Sequence, residues 1–203
     1  VICINLSQFG KDLKDGDLAQ KEHFSLLEQQ LWQVPQHSDA ILDLDGVEFI
    51  GYGYAKHAIR PCVERWLKGK YPLRSLILAC RRDDYRVFLE AVELALAEVR
   101  LTVLLHLGHR DWLVPLGYLP YESPFETQKE RRKKEKLLRI LELLIRKTEL
   151  YTNEIAHDLG LTLPNCNYLL SELESLRLVE RIKESSPSGG PLFRNRLVAR
   201  QAA

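Results

Sequence analysis

Apolar and polar positions in the first 120 residues fall into alternating blocks of two periods, one suited to strands and one to helices. Val1 to Leu6 is a short run rich in β-formers, and Gly10 to Gly16 has turn chemistry. Asp17 then precedes residues 18–32, where Phe24, Leu27, Leu31 and Trp32 recur at helical spacing. That segment ends before Pro35. Residues 40–50 (AILDLDGVEFI) read as one buried strand, followed by a tight turn at Gly51, Tyr52, Gly53 and Tyr54 and a helix through Trp66. Leu73 to Cys80 is another strand, Asp83 or Asp84 can cap a helix running to Val99, and Leu101 to Leu107 closes the series. The order β-α-β-α-β-α-β predicts parallel crossovers and an α/β layer structure.

The pattern changes near residue 122. Pro115, Pro120, Tyr121, Ser123 and Pro124 interrupt every period, which places a domain boundary there and predicts domains over 1–122 and 123–203. A long helix from about Glu126 to Lys147 then sets Leu137, Leu138, Leu141, Leu144 and Ile145 on one stripe with Lys and Arg opposite. Thr152 can cap a shorter helix that Gly160 ends, with Glu154 in its first turn. Thr162 can cap the next, which has Pro164 in its first turn. Val179 to Ser185 and Leu192 to Val198 are strands around residues 186–191 (SPSGGP). Three helices and a β-hairpin make an α+β winged helix-turn-helix.

Composition narrows the function classes. The chain has 203 residues, 45% of them hydrophobic, enough for ordinary cores. Its longest unbroken apolar run, Leu76 to Cys80, falls far short of the roughly 20 residues of a membrane helix, and no basic-then-apolar leader opens it. Membrane and secreted readings are set aside, and a cytoplasmic protein is expected. Cys3, Cys62, Cys80 and Cys166 share no CxxC spacing and are expected to be reduced thiols. The net charge of +1 conceals an asymmetry, since residues 1–120 carry net −2 and residues 121–203 net +3. Any attraction to nucleic acid therefore belongs to the C-terminal part.

Residues 152–179 (TNEIAHDLGLTLPNCNYLLSELESLRLV) resemble bacterial winged-helix transcriptional regulators. Ile155, Ala156 and Leu159 match the buried face of their second helix, Gly160 the turn glycine, and Cys166, Leu170 and Leu173 the buried face of the recognition helix. With the flanking helix and hairpin, the resemblance covers residues 126–198. It implies that the N-terminal half of the recognition helix enters the major groove. The outward positions there are Thr162, Leu163, Asn165, Asn167, Tyr168 and Ser171. Asn can pair with adenine, while Thr, Tyr and Ser suit phosphate oxygens. The helix departs from a basic reader because it has no Lys or Arg before Arg177 and carries Glu172 and Glu174. Positive charge flanks it instead, at Arg131, Arg132, Lys133, Lys134 and Lys136, and at Arg181, Lys183, Arg194 and Arg196 around the wing. These flanks are the expected source of phosphate neutralisation. The other reading of the first-helix run is a solvated face on a protein-interaction module.

Residues 42–54 (LDLDGVEFIGYGY), a strand followed by a tight turn into a helix, look like the core of STAS domains, the fold of bacterial anti-sigma factor antagonists. They are closer to the STAS-like variants that precede winged helices in bacterial regulators, and the resemblance spans roughly residues 1–120. The family turn carries a phosphorylated Ser, and Gly53 occupies that position here, with Tyr52 before it. What remains is geometry: backbone N–H groups of Gly51, Tyr52, Gly53 and Tyr54 at a helix N-terminus are a candidate partner or anion site. The competing reading is a turn that needs glycines to reverse tightly.

His106, His109 and Asp111 have a hint of metal-ligand spacing, but a zinc site needs three or four converging ligands, and no metal or other cofactor is expected. His23, His37, His57 and His157 are scattered singly. Asp43 and Asp45 alternate along the expected strand as paired carboxylates would, or serve as strand-end and turn residues. No GxSxG, HExxH or GxxxxGK[ST] occurs, so no catalytic function is expected. The expectation is a DNA-binding transcriptional regulator whose STAS-like α/β domain senses a partner or ligand or dimerises. Its expected partners are double-stranded DNA, a protein at the N-terminal domain and a second copy of the chain, with no membrane. The apolar stripe of the long helix is either a dimer seam or packing within its own domain. The alternative function is a protein-interaction adaptor in a partner-switching pathway without DNA contact.

Overall fold

A computed structural model describes residues 1–14, 16–108, 112–185 and 191–198. They divide into two units, residues 1–121 and residues 122–198.

In the first unit, β1 (Ile2–Asn5), β3 (Asp39–Asp43), β5 (Ser75–Cys80) and β6 (Thr102–Leu107) pair in parallel in that order, and β7 (Trp112–Gly117) adds antiparallel to β6. The crossovers are helical: α1 over residues 16–32, α2 over residues 52–67, and α3 (Glu90–Ala97) after a short turn of helix at Tyr85–Phe88. Register aligns Ile4, Leu42, Leu78 and Leu105 on one sheet face, each at most 5% exposed. They belong to one core with Leu27 and Leu31 of α1, Ile59, Val63 and Trp66 of α2, and Val92 and Leu96 of α3. Parallel strands entered from one side each time demand this arrangement, because each crossover must bury its apolar stripe.

The expected strand over 40–50 is broken. Asp43 ends β3, its Oδ1 accepts the Asp45 N–H at 3.1 Å, and the Val47 N–H donates to the Leu44 carbonyl at 3.1 Å. The short β4 (Phe49–Ile50) then pairs in parallel with β2 (Asp12–Leu13), a segment that reads as turn from sequence. Local Asp and Gly turn chemistry thus outweighs apolar alternation. Asp43 and Asp45 are strand-end and turn residues, not a pair on one strand face. The series also continues beyond residue 107: β7 contains Pro115, tolerated because β7 is an edge strand. Asp84 occupies the N-cap position of the Tyr85 turn but makes no capping bond. Its carboxylate instead takes two hydrogen bonds from Arg82, at 2.8 Å each, which lower its pKa.

The second unit begins with α4 (Gln128–Lys147), opened by a capping box in which the Glu130 N–H donates to Thr127 Oγ1 and the Thr127 N–H to Glu130 Oε2. α5 (Thr152–Leu159) ends at Gly160, whose φ of 63° is left-handed, and α6 (Leu163–Ser175) follows. The wing has three strands. β9 (Val179–Ser185) and β10 (Pro191–Leu197) form the hairpin, and β8 (Glu149–Tyr151), missed by periodicity, pairs with β10 on its other side. Thr152 does not cap α5: the Tyr151 N–H is held by Glu154 Oε2 at 2.7 Å, and Thr152 Oγ1 donates to the Phe193 carbonyl. Asn195, fully buried on β10, donates to Thr152 Oγ1 at 3.0 Å and to the Leu150 carbonyl at 3.2 Å, fastening wing to helix. The α4 stripe is occupied within its own unit: Leu137, Ile140, Leu141 and Leu144 are at most 1% exposed, and α4 packs on α5, α6 and β10. Leu138 and Ile145 stay half-buried.

Lys134 departs from its expected place among the phosphate-facing cations. Its Nζ lies 2.8 Å from Glu126 Oε1, with the two side chains 7% and 5% exposed. Removing one partner of such a pair strands a buried charge. We expect Glu126→Ala to lower the unfolding free energy in urea by about 3 kcal/mol. The double variant Glu126→Ala/Lys134→Met should recover much of that loss.

Cys3 is exposed, and Cys62, Cys80 and Cys166 are buried and free. Burial pushes the Cys62 thiol up to about 12 and Cys166 up to about 11. A small aromatic disulfide reagent at neutral pH should therefore modify Cys3 alone in the folded protein and all four thiols in denaturant. Rapid modification of Cys166 in the folded state would contradict the packing described.

Candidate nucleic-acid interface

The apolar spacing of α6 turns Cys166, Leu169, Leu170 and Leu173 inward. Its leading end stands out: Thr162, Leu163, Pro164 and Tyr168 are exposed and Asn165 is half-buried. Tyr168 is 58% exposed and Leu163 50%, so two large side chains face outward at the tip.

Asn167 and Ser171, expected as readers, lie on the wing side of α6 and are already engaged. Arg181 donates to Asn167 Oδ1 and to Ser171 Oγ, both at 2.7 Å, with its guanidinium carbon 4.5 Å from the Phe193 ring centroid. Arg181 therefore stitches recognition helix to wing. The edge left outward is Thr162, Leu163, Asn165 and Tyr168.

The wing arginines have similar structural duties. Arg194 Nε lies 2.9 Å from Glu184 Oε1, and its NH1 donates to Glu149 Oε2 at 3.1 Å. Arg196 Nε donates to Glu180 Oε2 at 2.8 Å and NH1 to Glu149 Oε1 at 3.4 Å. Two guanidiniums share three carboxylates across β8, β10 and β9, and the Tyr151 hydroxyl donates to Glu184. The hydrogen bond to Glu180 raises the pKa of Arg196, and that to Glu184 raises the pKa of Tyr151. A phosphate oxygen must compete with these carboxylates for either arginine. Lys183 is exposed on β9. The wing tip, residues 186–190, lies outside the described residues.

On α4, Lys129, Arg132, Lys133 and Lys136 follow the i, i+3, i+4, i+7 spacing that puts them on one face. With Gln128, Asn165, Tyr168 and Leu169 they line a groove of about 420 Å³ between α4 and α6. Lys129, Arg132 and Lys136 are exposed, and among the described residues no carboxylate pairs with them. Lys133 Nζ sits 2.7 Å from Glu172 Oε2 and 5.3 Å from the Tyr168 ring centroid. Burial opposes its charge, but hydrogen bonds to Glu172 and Tyr168 prevail and its pKa is raised. The run of cations is visible in sequence. The groove is not, because it depends on where α6 crosses α4, and Lys129 lies just before the run.

In the N-terminal unit the expected turn at Gly51, Tyr52, Gly53 and Tyr54 is instead the first turn of α2, with Gly51 at its N-cap, and it is closed by packing. The Gly51 N–H donates to the Leu13 carbonyl at 2.8 Å, and a Cβ on Gly53 would stand 3.2 Å from Gly16 Cα, so the two helix starts touch backbone to backbone. The Tyr52 hydroxyl donates to Glu98 at 2.6 Å, which raises its pKa, and Tyr54 is 1% exposed. Gly51 and Tyr54 are thus not open to an anion. His106 is half-buried on β6, while His109 and Asp111 lie outside the described residues. Among the described residues no three His, Cys, Asp or Glu side chains converge to hold a metal ion, and no helix is long and apolar enough to cross a membrane.

Comparison with known proteins bears on the same region. A family described as winged helix-turn-helix DNA-binding matches residues 133–180, from within α4 to the start of β9. None of the curated proteins compared with the chain matches it. Among solved structures it is similar to a possible transcriptional regulator from Methanosarcina mazei Go1, at 13% identity over 38% of this chain and 72% of that one. The TM-score is 0.29, too loose a likeness to carry an argument. The family match and the helix-and-wing geometry agree, and the chain carries a C-terminal winged helix-turn-helix DNA-binding domain.

Proposed function

We propose that the chain is a cytoplasmic DNA-binding transcriptional regulator whose N-terminal α/β unit, read as STAS-like, senses a protein partner or ligand or joins two copies. The observation that carries the DNA half is the outward tip of α6, Thr162, Leu163, Asn165 and Tyr168, in a domain that matches a DNA-binding family. Asn165 has the amide to pair with adenine in the major groove, and Leu163 the apolar surface to meet a thymine methyl. Support for the STAS-like reading is that residues 42–54 run from the end of β3 to the start of α2, although a turn at Asp45 and Gly46 and the short β4 intervene. Gly53 offers no hydroxyl to phosphorylate, and its contact with Gly16 leaves little room for a side chain. The role proposed for this unit is therefore a binding event and not phosphorylation at position 53.

Selection of genomic fragments by the purified protein tests the first half. We expect recovery of a defined duplex whose affinity falls steeply with salt, by about 0.9 in log–log slope per phosphate neutralised. Asn165→Ala should then cost about 1–3 kcal/mol on that duplex and relax preference at one base pair. Absence of binding to any duplex would sink the DNA reading.

Sedimentation of the full chain tests the joining role. Two copies per particle, bound to half-sites about 34 Å apart, is the outcome for a dimeric regulator. A monomer on a single site would leave sensing as the role of the N-terminal unit.

A further inference from the structure

We propose that the groove between α4 and α6 seats one sugar-phosphate strand of the duplex, so that α4, rather than the paired wing arginines Arg194 and Arg196, supplies its phosphate contacts, with Glu172 restraining them. This rests on the DNA reading above. Residues 129 to 136 cover seven rises of α-helix, about 10.5 Å, long enough to face neighbouring phosphates of one strand. Lys129, Arg132 and Lys136 stand exposed along that length. Asn165 and Tyr168 line the same groove from the recognition helix, so a strand lying in it passes beside the base-reading tip. Arg194 and Arg196 are each paired with two of the carboxylates of Glu149, Glu180 and Glu184, and moving either to a phosphate gives up an ion pair for the new one.

Glu172 gives the groove a second property. It holds Lys133 at 2.7 Å and places a carboxylate next to the path of the strand. The phosphate must take Lys133 from Glu172 and tolerate the remaining negative charge. Glu172 thus lowers affinity for every sequence alike, a brake on non-specific binding.

The test measures binding of the full chain to a mixed-sequence duplex across a range of salt concentrations. The triple variant Lys129→Gln/Arg132→Gln/Lys136→Gln should reduce the log–log salt slope by about 0.9 per cation removed. Arg194→Gln/Arg196→Gln, checked for folding by thermal melting and replaced by Arg194→Gln alone if the double variant fails to fold, should leave the slope unchanged. Glu172→Gln should tighten binding several-fold and steepen the slope as Lys133 is released. A slope lost on changing the wing and kept on changing α4 overturns the proposal while leaving the DNA reading intact. No duplex binding by the unaltered chain overturns both. Inorganic triphosphate that binds the unaltered chain more tightly than duplex, and less tightly after the triple change, assigns the groove to a small polyanion and also overturns the proposal.

Discussion

Burial of Leu137, Ile140, Leu141 and Leu144 fixes the rotation of α4 about its axis, and the interface depends on that rotation. Each such side chain contributes on the order of 2 kcal/mol when removed from water, far more than any exposed cation gains from one orientation over another. The apolar stripe therefore decides where the charges go. Lys134, within a helical turn of the stripe, is drawn inside against Glu126, while Lys129, Arg132, Lys133 and Lys136 turn toward α6. A shift of the stripe by one residue would rotate the cations by about 100° and dissolve the groove.

The wing solves a different problem with the same residue types. A three-stranded sheet this small has little apolar area to bury, and its strands are held by cross-strand pairs. Arg196 lies directly opposite Glu180 on β9 and Glu149 on β8, and Arg194 bridges from Glu149 to Glu184. Arg181 extends the arrangement to α6 through Asn167 and Ser171. Guanidinium suits this duty because its fork can satisfy two acceptors at once. Arginines that look basic in a one-dimensional count are therefore internal fasteners in three dimensions.

That difference explains what was legible beforehand. The helices of both units and the β9–β10 hairpin follow from periodicity, a local signal, and Gly160 ends α5 as expected, whereas the expected side-chain caps at Asp84, Thr152 and Thr162 make no capping bond. The break after Asp43 has a local signal too, in Asp-Leu-Asp-Gly, but alternating apolar residues on either side mask it. β7 and β8 are invisible locally: one contains a proline, the other has three residues, and both exist because a neighbouring strand offers them a ladder. Among the expected contact residues, Thr162, Asn165, Tyr168 and Lys133 lie at the tip or groove, whereas Asn167, Ser171, Arg181, Arg194 and Arg196 are tied to partners. Those ties join residues up to 47 positions apart in the chain, beyond the reach of any spacing rule. The closed glycine turn escapes notice for the same reason, because Gly53 meets Gly16 only once the two helices are packed.

A recognition helix with no cation before Arg177, and with Glu172 and Glu174 along it, looks poorly suited to DNA if affinity and specificity are treated as one quantity. They are separable. Attraction to phosphate is the same for every sequence and sets the background against which a site must be found. Discrimination comes from hydrogen bonds and apolar contacts to base edges, which in the proposed function fall to Leu163 and Asn165. In the proposed arrangement the cations of α4 and the carboxylates of α6 set an affinity common to all sequences, whereas the ratio of specific to non-specific affinity, which governs a regulator facing a genome of competing sites, is set by the base contacts. The helix's lack of cations is then compatible with specific binding, because in the proposal a different helix carries the electrostatics.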